Sequence, residues 1–448
     1  MRAAEQAVWD ADPDVDLMAR AAAHVARHAH ELVESGPIVV VVGPGNNGGD
    51  GLFAAAELAA AHQVWLWLAA GRAHDAGLAA AFESGCREVD AIEAMEALAG
   101  AGLVIDAFTG LGSRPGLPDA VALFAEACVA VPVLSVDMPS GLATDSGVGH
   151  PSFTAATTVT FAAEKPCHVL QPAASRCGRV VVADIGVDVP DTSIRQLDDA
   201  DLARWWPRPD AVSDKYSRGV VLLDTGSAHY PGAALLGISG ALHAGAGMVR
   251  YAGPAAPEFV LGRFPSVVVG AGRCQAVVVG SGWGEADESR MAAAAAHGVP
   301  VVVDADALLA LPDGPRDGWL LTPHAGELAR LLGIDRDEVE SDAIAATRVA
   351  AARTGATVLL KGAAQYVTEP DGRVTIATPG PAWSAQAGSG DVLAGICGAL
   401  LAAGLPAWRA AALGASIQAR TAEFHPGPYP PDALAEQMPM VIAGLDQA

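Results

Sequence analysis

The chain has 448 residues, a length that is too great for one ordinary domain and favours two or three. Hydrophobic residues make up 51% of it and charged residues only 17%, which excludes a disordered chain. The 27 Lys and Arg residues are outnumbered by 51 Asp and Glu residues, and the resulting net charge of −24 argues against nucleic-acid binding, which needs a basic surface.

Cysteine spacing and hydropathy favour a cytoplasmic location. None of the six cysteines lies in a CxxC pair or at a metal-ligand spacing, so reduced thiols are favoured over a disulfide framework. The first residues lack the apolar core of a signal peptide. The longest uncharged apolar stretch, residues 392–408, contains glycines and a proline and is shorter than the roughly 20 residues that span a membrane. We therefore expect no membrane segment.

Apolar runs without alternation predict strands that are buried on both faces. These runs lie at residues 38–42, 102–106, 131–137, 275–280, 299–304 and 357–361. Alanine-rich segments between them, such as 53–62 and 291–296, predict covering helices. This order predicts an α/β fold with mostly parallel sheets, in which ligands bind at the carboxyl ends of strands. A proline-punctuated linker that ends near residue 210 predicts two domains, 1–209 and 210–448.

A glycine-rich loop at residues 43–51 follows the first predicted strand and precedes a helix. Its GxGxxG spacing suits a phosphate at a helix N-terminus. No acid ends the next predicted strand, at residues 63–68, as a dinucleotide dehydrogenase would require for the ribose. Backbone amides alone can bind a phosphate, so the loop does not need the polar side chains of Asn46, Asn47 and Asp50 for that purpose. These three are therefore either turn residues or side-chain ligands of a substrate or cation.

Two further strands end in an acid followed by a turn. Asp106 precedes a loop that runs from Gly110 to Gly116, and Asp137 precedes a turn that contains Ser140. Oxygen atoms from Asn47, Asp106 and Ser140 could together hold a hard monovalent or divalent cation. A plain turn remains the alternative for Ser140.

The second half carries a different glycine loop. Gly388, Ser389 and Gly390 precede Asp391 and an apolar helix, a pattern that predicts an anion hole for a phosphoryl group, with Asp391 accepting a hydroxyl proton. The alternative is an ordinary helix start with an acid in its first turn.

The scarcity of lysine also points to candidate functional residues. The chain has only three lysines, at positions 165, 215 and 361, against 24 arginines. Surviving lysines are candidates for positions where a guanidinium cannot replace an ammonium. Lys361 follows a predicted strand and precedes a glycine, where it could reach nucleotide phosphates.

The first half resembles the epimerase domain of bifunctional NAD(P)H-hydrate repair enzymes. The resemblance is carried by residues 46–51, by Asp106 with its following loop, by residues 137–141 and by residues 160–166. It implies a Rossmann-like three-layer sandwich that binds the R and S hydrates of NADH and NADPH beside a potassium ion. It also implies substrate contacts at Asn46, Asn47, Gly48, Gly49, Asp50, Gly110, Leu111, Gly112, Ser113, Arg114, Pro115, Gly116 and Asp137, and potassium ligands at Asn47, Asp106 and Ser140. Asp137 is our first candidate for the proton transfers of epimerisation and Asp50 the second.

The second half resembles the ribokinase-like superfamily and, within it, the dehydratase domain of the same repair enzymes. This resemblance implies ADP-dependent dehydration of the S hydrate to NADH or NADPH, with release of AMP and phosphate and with Mg²⁺ bridging the phosphates. Asp391 would be the base, and Gly388, Ser389 and Gly390 the anion hole. The implied substrate contacts are Ala233, Gly284, His324 and Asp391, and the implied ADP and AMP contacts are Lys361, Gly362, Ala363, Ala364, Gln365 and Gly390.

We therefore expect a fused repair enzyme whose partners are small molecules, with no nucleic acid and no membrane. A homo-oligomer stays open, as do the choices between ADP and ATP and between the NADH and NADPH hydrates. Two alternatives remain. One is a ribokinase-like kinase for a small alcohol, and the other is a nucleotide-binding sensor with an inactive first half.

Overall fold

The computed structural model describes residues 2–112, 114–189, 192–314 and 316–445. The chain divides into two compact units, Met1–Asp191 and Thr192–Ala448. The division confirms that each half has its own core, and each unit is described by itself.

Among the described residues of the first unit, seven parallel strands form one sheet in the order β3-β2-β1-β4-β5-β6-β7. The strands are β1 (Ile38–Val42), β2 (Val64–Leu68), β3 (Arg87–Val89), β4 (Leu103–Ala107), β5 (Val133–Val136), β6 (Thr157–Phe161) and β7 (Arg179–Ala183). The helices are α1 (Arg2–Ala11), α2 (Leu17–Leu32), α3 (Asn46–Leu58), α4 (Asp75–Glu83), α5 (Ala91–Ala97), α6 (Asp119–Ala127) and α7 (Pro166–Val169).

Strand β1 shows why this unit has three layers. Its residues alternate between two hydrophobic clusters: Ile38 and Val40 pack with α2 and α3, whereas Val39 and Val41 pack with α5 and α6. Helices therefore cover both faces of the sheet, and the unbroken run of β-branched residues at 38–42 follows from burial on both sides. The predicted three-layer α/β sandwich is confirmed.

Among the described residues of the second unit, ten strands form one sheet in the order β11-β10-β9-β12-β13-β14-β15-β16-β17-β8. The strands are β8 (Ile194–Gln196), β9 (Val220–Asp224), β10 (Met248–Tyr251), β11 (Val268–Val269), β12 (Ala276–Val279), β13 (Val301–Val303), β14 (Leu320–Leu321), β15 (Thr357–Leu360), β16 (Tyr366–Thr368) and β17 (Val374–Ile376). The ladder is parallel from β11 to β15, and β16 lies antiparallel to both β15 and β17.

The helices of the second unit are α8 (Asp199–Trp205), α9 (Pro231–His243), α10 (Pro257–Arg263), α11 (Glu288–Ala295), α12 (Ala325–Leu332), α13 (Arg336–Ser341), α14 (Ala343–Thr354), α15 (Ser389–Ala402), α16 (Ala407–Phe424), α17 (Pro431–Ala435) and α18 (Met438–Gly444). Helices α9, α15 and α16 are rich in alanine and glycine and lie in the main hydrophobic cluster of this unit. The predicted buried helix after residue 391 is thus part of the core.

Two boundaries differ from the prediction. The units divide at 191/192 and not at 209/210, because the short strand β8 pairs with β17 and Leu202 of α8 packs into the core of the second unit. A three-residue edge strand carries too little pattern to predict. Helices α3 and α15 begin at Asn46 and Ser389, several residues earlier than their apolar segments indicated, because their first turns consist of glycine and polar residues.

All six cysteines are free and buried. Burial raises the pKa of Cys86 to about 11 and the pKa values of Cys128 and Cys177 to about 12. Within the described part of the chain, no helix combines the length and the apolar character needed to cross a membrane.

Candidate active sites

The first candidate site is built on the tight connection between β1 and α3. A side chain at Gly43 would overlap the carbonyl oxygen of Phe108, and one at Gly48 would overlap the carbonyl oxygen of Gly43. Only glycine allows the first turn of α3 to lie this close to the end of β4. The close approach brings Asn47 next to Gly110, where an added Cβ would lie 2.6 Å from the Asn47 side-chain oxygen.

A cavity of about 610 Å³ opens at this carboxyl edge of the sheet. Among the predicted residues, it is lined by Asn46, Asn47, Asp50, Gly110, Leu111, Gly112 and Asp137. The predicted residues Gly48, Gly49, Arg114, Pro115 and Gly116 do not line it, and Ser113 lies outside the described residues. The cavity therefore brings together the residues that follow β1, β4 and β5, which are neighbouring strands.

The cavity has further walls that were not among the predicted site residues. Helix α1 contributes Glu5, Gln6 and Trp9, and the end of β6 and its following loop contribute Phe161 and Lys165. No motif marks α1 in the sequence. Lys165 carried a signal, since it is one of three lysines in an arginine-rich chain.

Asp137 lies at the centre of this site with a backbone φ of +65°. Its Oδ1 accepts hydrogen bonds from Lys165 Nζ at 2.7 Å and from Thr160 Oγ1 at 3.2 Å, and its Oδ2 accepts one from the Leu111 amide at 3.2 Å. The side chains of Asp137 and Lys165 are 9% and 5% exposed. The carboxylate is thus fixed on one side and borders the cavity.

Asp50, unlike Asp137, is a buried acid whose surroundings disfavour its negative charge. Burial raises its pKa well above the usual value, and the negative charges of Asp137, Glu5 and Asp16 raise it further. No hydrogen bond is among the influences on this pKa within the described residues. The cavity therefore holds one carboxyl group that favours its neutral acid form and one that is paired with an ammonium, an arrangement suited to proton transfer in both directions.

The predicted cation ligands lie beside the cavity. Asp106 is fully buried, and its Oδ2 accepts hydrogen bonds from Ser135 Oγ at 2.9 Å and from the Ser140 amide at 2.8 Å. Burial raises the pKa of Asp106 to about 6, against the opposing effect of these hydrogen bonds. Asn47 Nδ2 is buried without a hydrogen-bond partner. The side-chain oxygens of Asp106, Ser140 and Asn47 are the atoms at this edge that could ligate a hard cation. Among the described residues, no cluster of three His, Cys, Asp or Glu side chains could hold a metal ion.

The second candidate site is a network at four adjacent strand ends. Lys361 follows β15 and donates to Asp304 Oδ1, after β13, at 2.6 Å. Thr322 Oγ1, after β14, donates to the same oxygen at 2.8 Å, and Ser281 Oγ, beyond β12, donates to Asp304 Oδ2 at 2.7 Å. Asp304 is 1% exposed and was not among the predicted site residues, although an acid at a strand end is the signal that could have identified it.

The start of α15 lies against this network. Gly388 has a φ of +92°, which turns the chain sharply into the helix, and Lys361 Nζ lies 3.2 Å from the position that a Cβ of Gly390 would occupy. The amide of Ser389 donates to the carbonyl of Gln386, whereas the amides of Gly390 and Asp391 make no hydrogen bond within the described segments. Two free amides, a helix N-terminus and an ammonium therefore converge where an anion can bind.

Asp391 stands in the first turn of α15. Burial raises its pKa to about 7, and the charges of Asp304 and Glu327 act in the same direction, while Lys361 lowers it. A carboxylate with a pKa near neutrality is a suitable general base at physiological pH.

The predicted substrate contacts of this unit surround the same region. Gly237 and Gly388 pack where α9 meets α15, and Ala233 lies one turn before Gly237 on α9. The loop after β12 reaches Ala233 through Gly282, and the amide of Gly284 in that loop donates to Asp306 at 2.8 Å. The structure thus brings Ala233 and Gly284 to the same end of the sheet as Asp391.

His324, a further predicted substrate contact, and the predicted nucleotide contacts also lie at this edge. His324 caps α12, with its Nδ1 accepting the amides of Gly326 and Glu327, and it bridges to Lys361 in the backbone. Gly362 and Ala363 are exposed, Ala364 and Gln365 are partly buried, and Gln365 Oε1 is buried without a partner. The loop after β15 therefore carries an unpaired side-chain carbonyl oxygen, four residues after Lys361.

Each unit matches a known protein family. A family model described as NAD(P)H-hydrate dehydratase matches residues 220–429, and one described as YjeF-related protein N-terminus matches residues 14–167. The bifunctional NAD(P)H-hydrate repair enzyme Nnr of Mycobacterium tuberculosis is 43% identical over 440 residues, which cover 92% of this chain and 90% of that protein.

Two solved structures resemble the chain. The ADP/ATP-dependent NAD(P)H-hydrate dehydratase of Bacillus subtilis, crystallised with ATP and Mg²⁺, has a TM-score of 0.51 at 25% identity and covers 55% of this chain and 97% of its own. A ribokinase-like superfamily protein of Enterococcus faecalis has a TM-score of 0.52 at 19% identity, covers 58% of this chain and 99% of its own, and shows the fold. The predicted ribokinase-like fold is confirmed, and this chain belongs to the family of bifunctional NAD(P)H-hydrate repair enzymes.

Proposed function

We propose that this chain repairs hydrated NADH and NADPH in two steps. The first unit interconverts the R and S hydrates, and the second unit dehydrates the S form with ADP. The observation that carries this proposal is the 43% identity to a bifunctional repair enzyme across both units. Spontaneous hydration yields both epimers, so a dehydratase that accepts one of them needs an epimerase.

In the first cavity, epimerisation requires the hydroxyl at C6 of the damaged nicotinamide ring to leave and return on the other face. The ring nitrogen pushes the hydroxyl out, and Asp50 in its neutral form gives the proton that makes it leave as water. When water returns, a carboxylate must accept the proton, and Asp137 borders the same cavity. The total number of protons is then unchanged, but Asp50 is left ionised and Asp137 neutral, so a proton must pass from Asp137 to Asp50, through water in the cavity, before the next turnover.

Potassium is the cation that we propose for the first unit. Asn47, Asp106 and Ser140 would hold it, and its charge would offset the burial of the Asp106 carboxylate. The raised pKa of Asp106, to about 6, supports this assignment, because a cation beside the carboxylate would favour its ionised form. We also propose that residues 46–50 and 110–116 contact the substrate, as the resemblance to the epimerase domain implies.

In the second unit, Asp391 takes the proton of the C6 hydroxyl while that oxygen attacks the terminal phosphorus of ADP, and AMP leaves. The phosphorylated hydrate then loses phosphate from C6, the departing phosphate accepts the proton from C5, and the ring double bond is restored. The amides of Gly390 and Asp391 and the ammonium of Lys361 stabilise the charge of the transferring group. Magnesium, held by the phosphates, would neutralise part of their negative charge.

Recovery of the reduced-nicotinamide absorbance tests the proposal. A mixture of R and S hydrates, incubated with the protein, ADP and Mg²⁺ before the hydrates epimerise spontaneously, should return to full absorbance. Recovery of only the S fraction would refute the epimerase, and no recovery with ADP would refute the dehydratase. Replacing ADP with ATP in the same assay decides the nucleotide, for which we propose ADP. We also propose a cytoplasmic location, which the free thiols support.

A further inference from the structure

The ammonium of Lys165 is surrounded by acceptors. Its Nζ lies 2.7 Å from Asp137 Oδ1, 2.6 Å from Thr160 Oγ1 and 3.1 Å from the carbonyl oxygen of Phe161. The residue is 5% exposed, and its backbone amide donates to His168 Nδ1 at 3.0 Å. Both ends of the lysine are therefore held.

An ammonium has three N–H groups, and here there are three acceptors. No donor remains for a substrate, even though Lys165 borders the cavity. A planar guanidinium cannot direct its N–H groups at three acceptors that converge on one atom. This geometry explains a lysine at position 165 in a chain with 24 arginines.

The group that Lys165 holds is under conformational strain. Asp137 has a φ of +65°, a left-handed conformation that costs a non-glycine residue on the order of 1–2 kcal/mol. Lys165 and Thr160 both bond to Oδ1, so they fix the rotation of the carboxylate. Among the described residues, Oδ2 accepts one hydrogen bond, from the Leu111 amide, which leaves a second lone pair on this oxygen.

We propose that Lys165 is a positioning residue of the epimerase unit, which fixes Asp137 so that Oδ2 is the oxygen that exchanges the substrate proton. The inference rests on the proposed function. Removing the ammonium leaves Asp137 in the cavity but frees its carboxylate to rotate, so the proton transfer slows while substrate binding is kept. A misplaced reacting group costs on the order of 100-fold in rate.

The test compares full-length variants in epimerisation of the R hydrate, with kcat and KM measured separately. Lys165→Met and Lys165→Arg should both lower kcat by about 100-fold with KM within about threefold of wild type. Dehydration of the S hydrate by the same chains should be unchanged. The control Arg87→Met removes an exposed ion pair with Glu93 in the same unit and should leave both activities as they are.

A full kcat in Lys165→Arg would overturn the proposal, and so would a raised KM at constant kcat, which would mean that Lys165 binds substrate. Should both variants fail to fold, Thr160→Val removes one acceptor at nearly constant shape and should lower kcat by about tenfold. An unchanged kcat in that variant would also overturn the proposal. The wild-type rate in the same assay tests the proposed function separately.

Discussion

The pH dependence of dehydration follows from the surroundings of Asp391. Its pKa is raised to about 7, chiefly by burial and then by the negative charge of Asp304. Only the ionised carboxylate accepts the hydroxyl proton, so kcat/KM should rise with pH and level off above the pKa. Between about one pH unit below and one above the midpoint, the ionised fraction increases about tenfold, and the rate should do the same.

The assay is recovery of reduced-nicotinamide absorbance from the S hydrate at limiting substrate, because kcat/KM reports the pKa of the free enzyme. Two variants make the assignment specific. Asp391→Asn should abolish the pH dependence together with nearly all of the activity. Glu327→Gln removes a negative charge that raises the pKa of Asp391, so its midpoint should move to lower pH.

The reasoning would be refuted by a kcat/KM that stays level across neutral pH, or by an Asp391→Asn variant that keeps the wild-type profile. The enzyme with bound nucleotide and substrate, whose pKa is reported by kcat, offers a second check. Bound nucleotide adds negative charge beside Asp391, so the midpoint of kcat should lie at higher pH than the midpoint of kcat/KM.

Three further results are expected. Asp137→Asn should abolish conversion of the R hydrate while substrate binding, followed by quenching of tryptophan fluorescence, and dehydration of the S hydrate persist; full epimerase activity would contradict the assignment. The pKa of Asp106 is raised from 3.8 to about 6 in the folded state, so ionisation of this carboxyl group opposes folding. As pH rises from the unfolded pKa through the folded one, the first unit should lose up to about 3 kcal/mol of stability, measured as a lower urea midpoint. Potassium should restore that midpoint, whereas a larger cation should not. Gly48→Ala forces a Cβ onto the carbonyl of Gly43, so the thermal midpoint of the first unit should fall by an amount equivalent to about 1–3 kcal/mol, with dehydratase activity intact; an unchanged midpoint would show that the turn can relax.

The strands, and the edge of each sheet where the candidate sites lie, were predictable because both depend on the order of apolar and polar residues along the chain. Runs such as 38–42 and 357–361 are buried on two faces and carry no polar residue until their ends. Polar residues that follow such runs must meet at one edge when the strands are parallel, which is why Asp106 and Asp137 could be grouped before the structure was known.

The contacts that shape the two sites were not predictable from local pattern. Lys165 meets Asp137 only because β6 lies beside β5, and Lys361 meets Asp304 only because β14 brings β13 and β15 within reach. Helix α1 contributes Trp9 to the cavity through tertiary packing, and nothing in its composition indicates that role. The early starts of α3 and α15 were missed because glycine has low helix propensity, which the close backbone contacts outweigh.

Because all six cysteine thiols are buried, their reactivity reports whether the protein is folded. Since the thiolate is the attacking species, alkylating reagents will label the native chain slowly and the unfolded chain fast. Cys86, Cys128, Cys167 and Cys177 belong to the first unit, whereas Cys274 and Cys397 belong to the second. Peptide-resolved labelling therefore shows which half opens first under heat or denaturant, without any added probe.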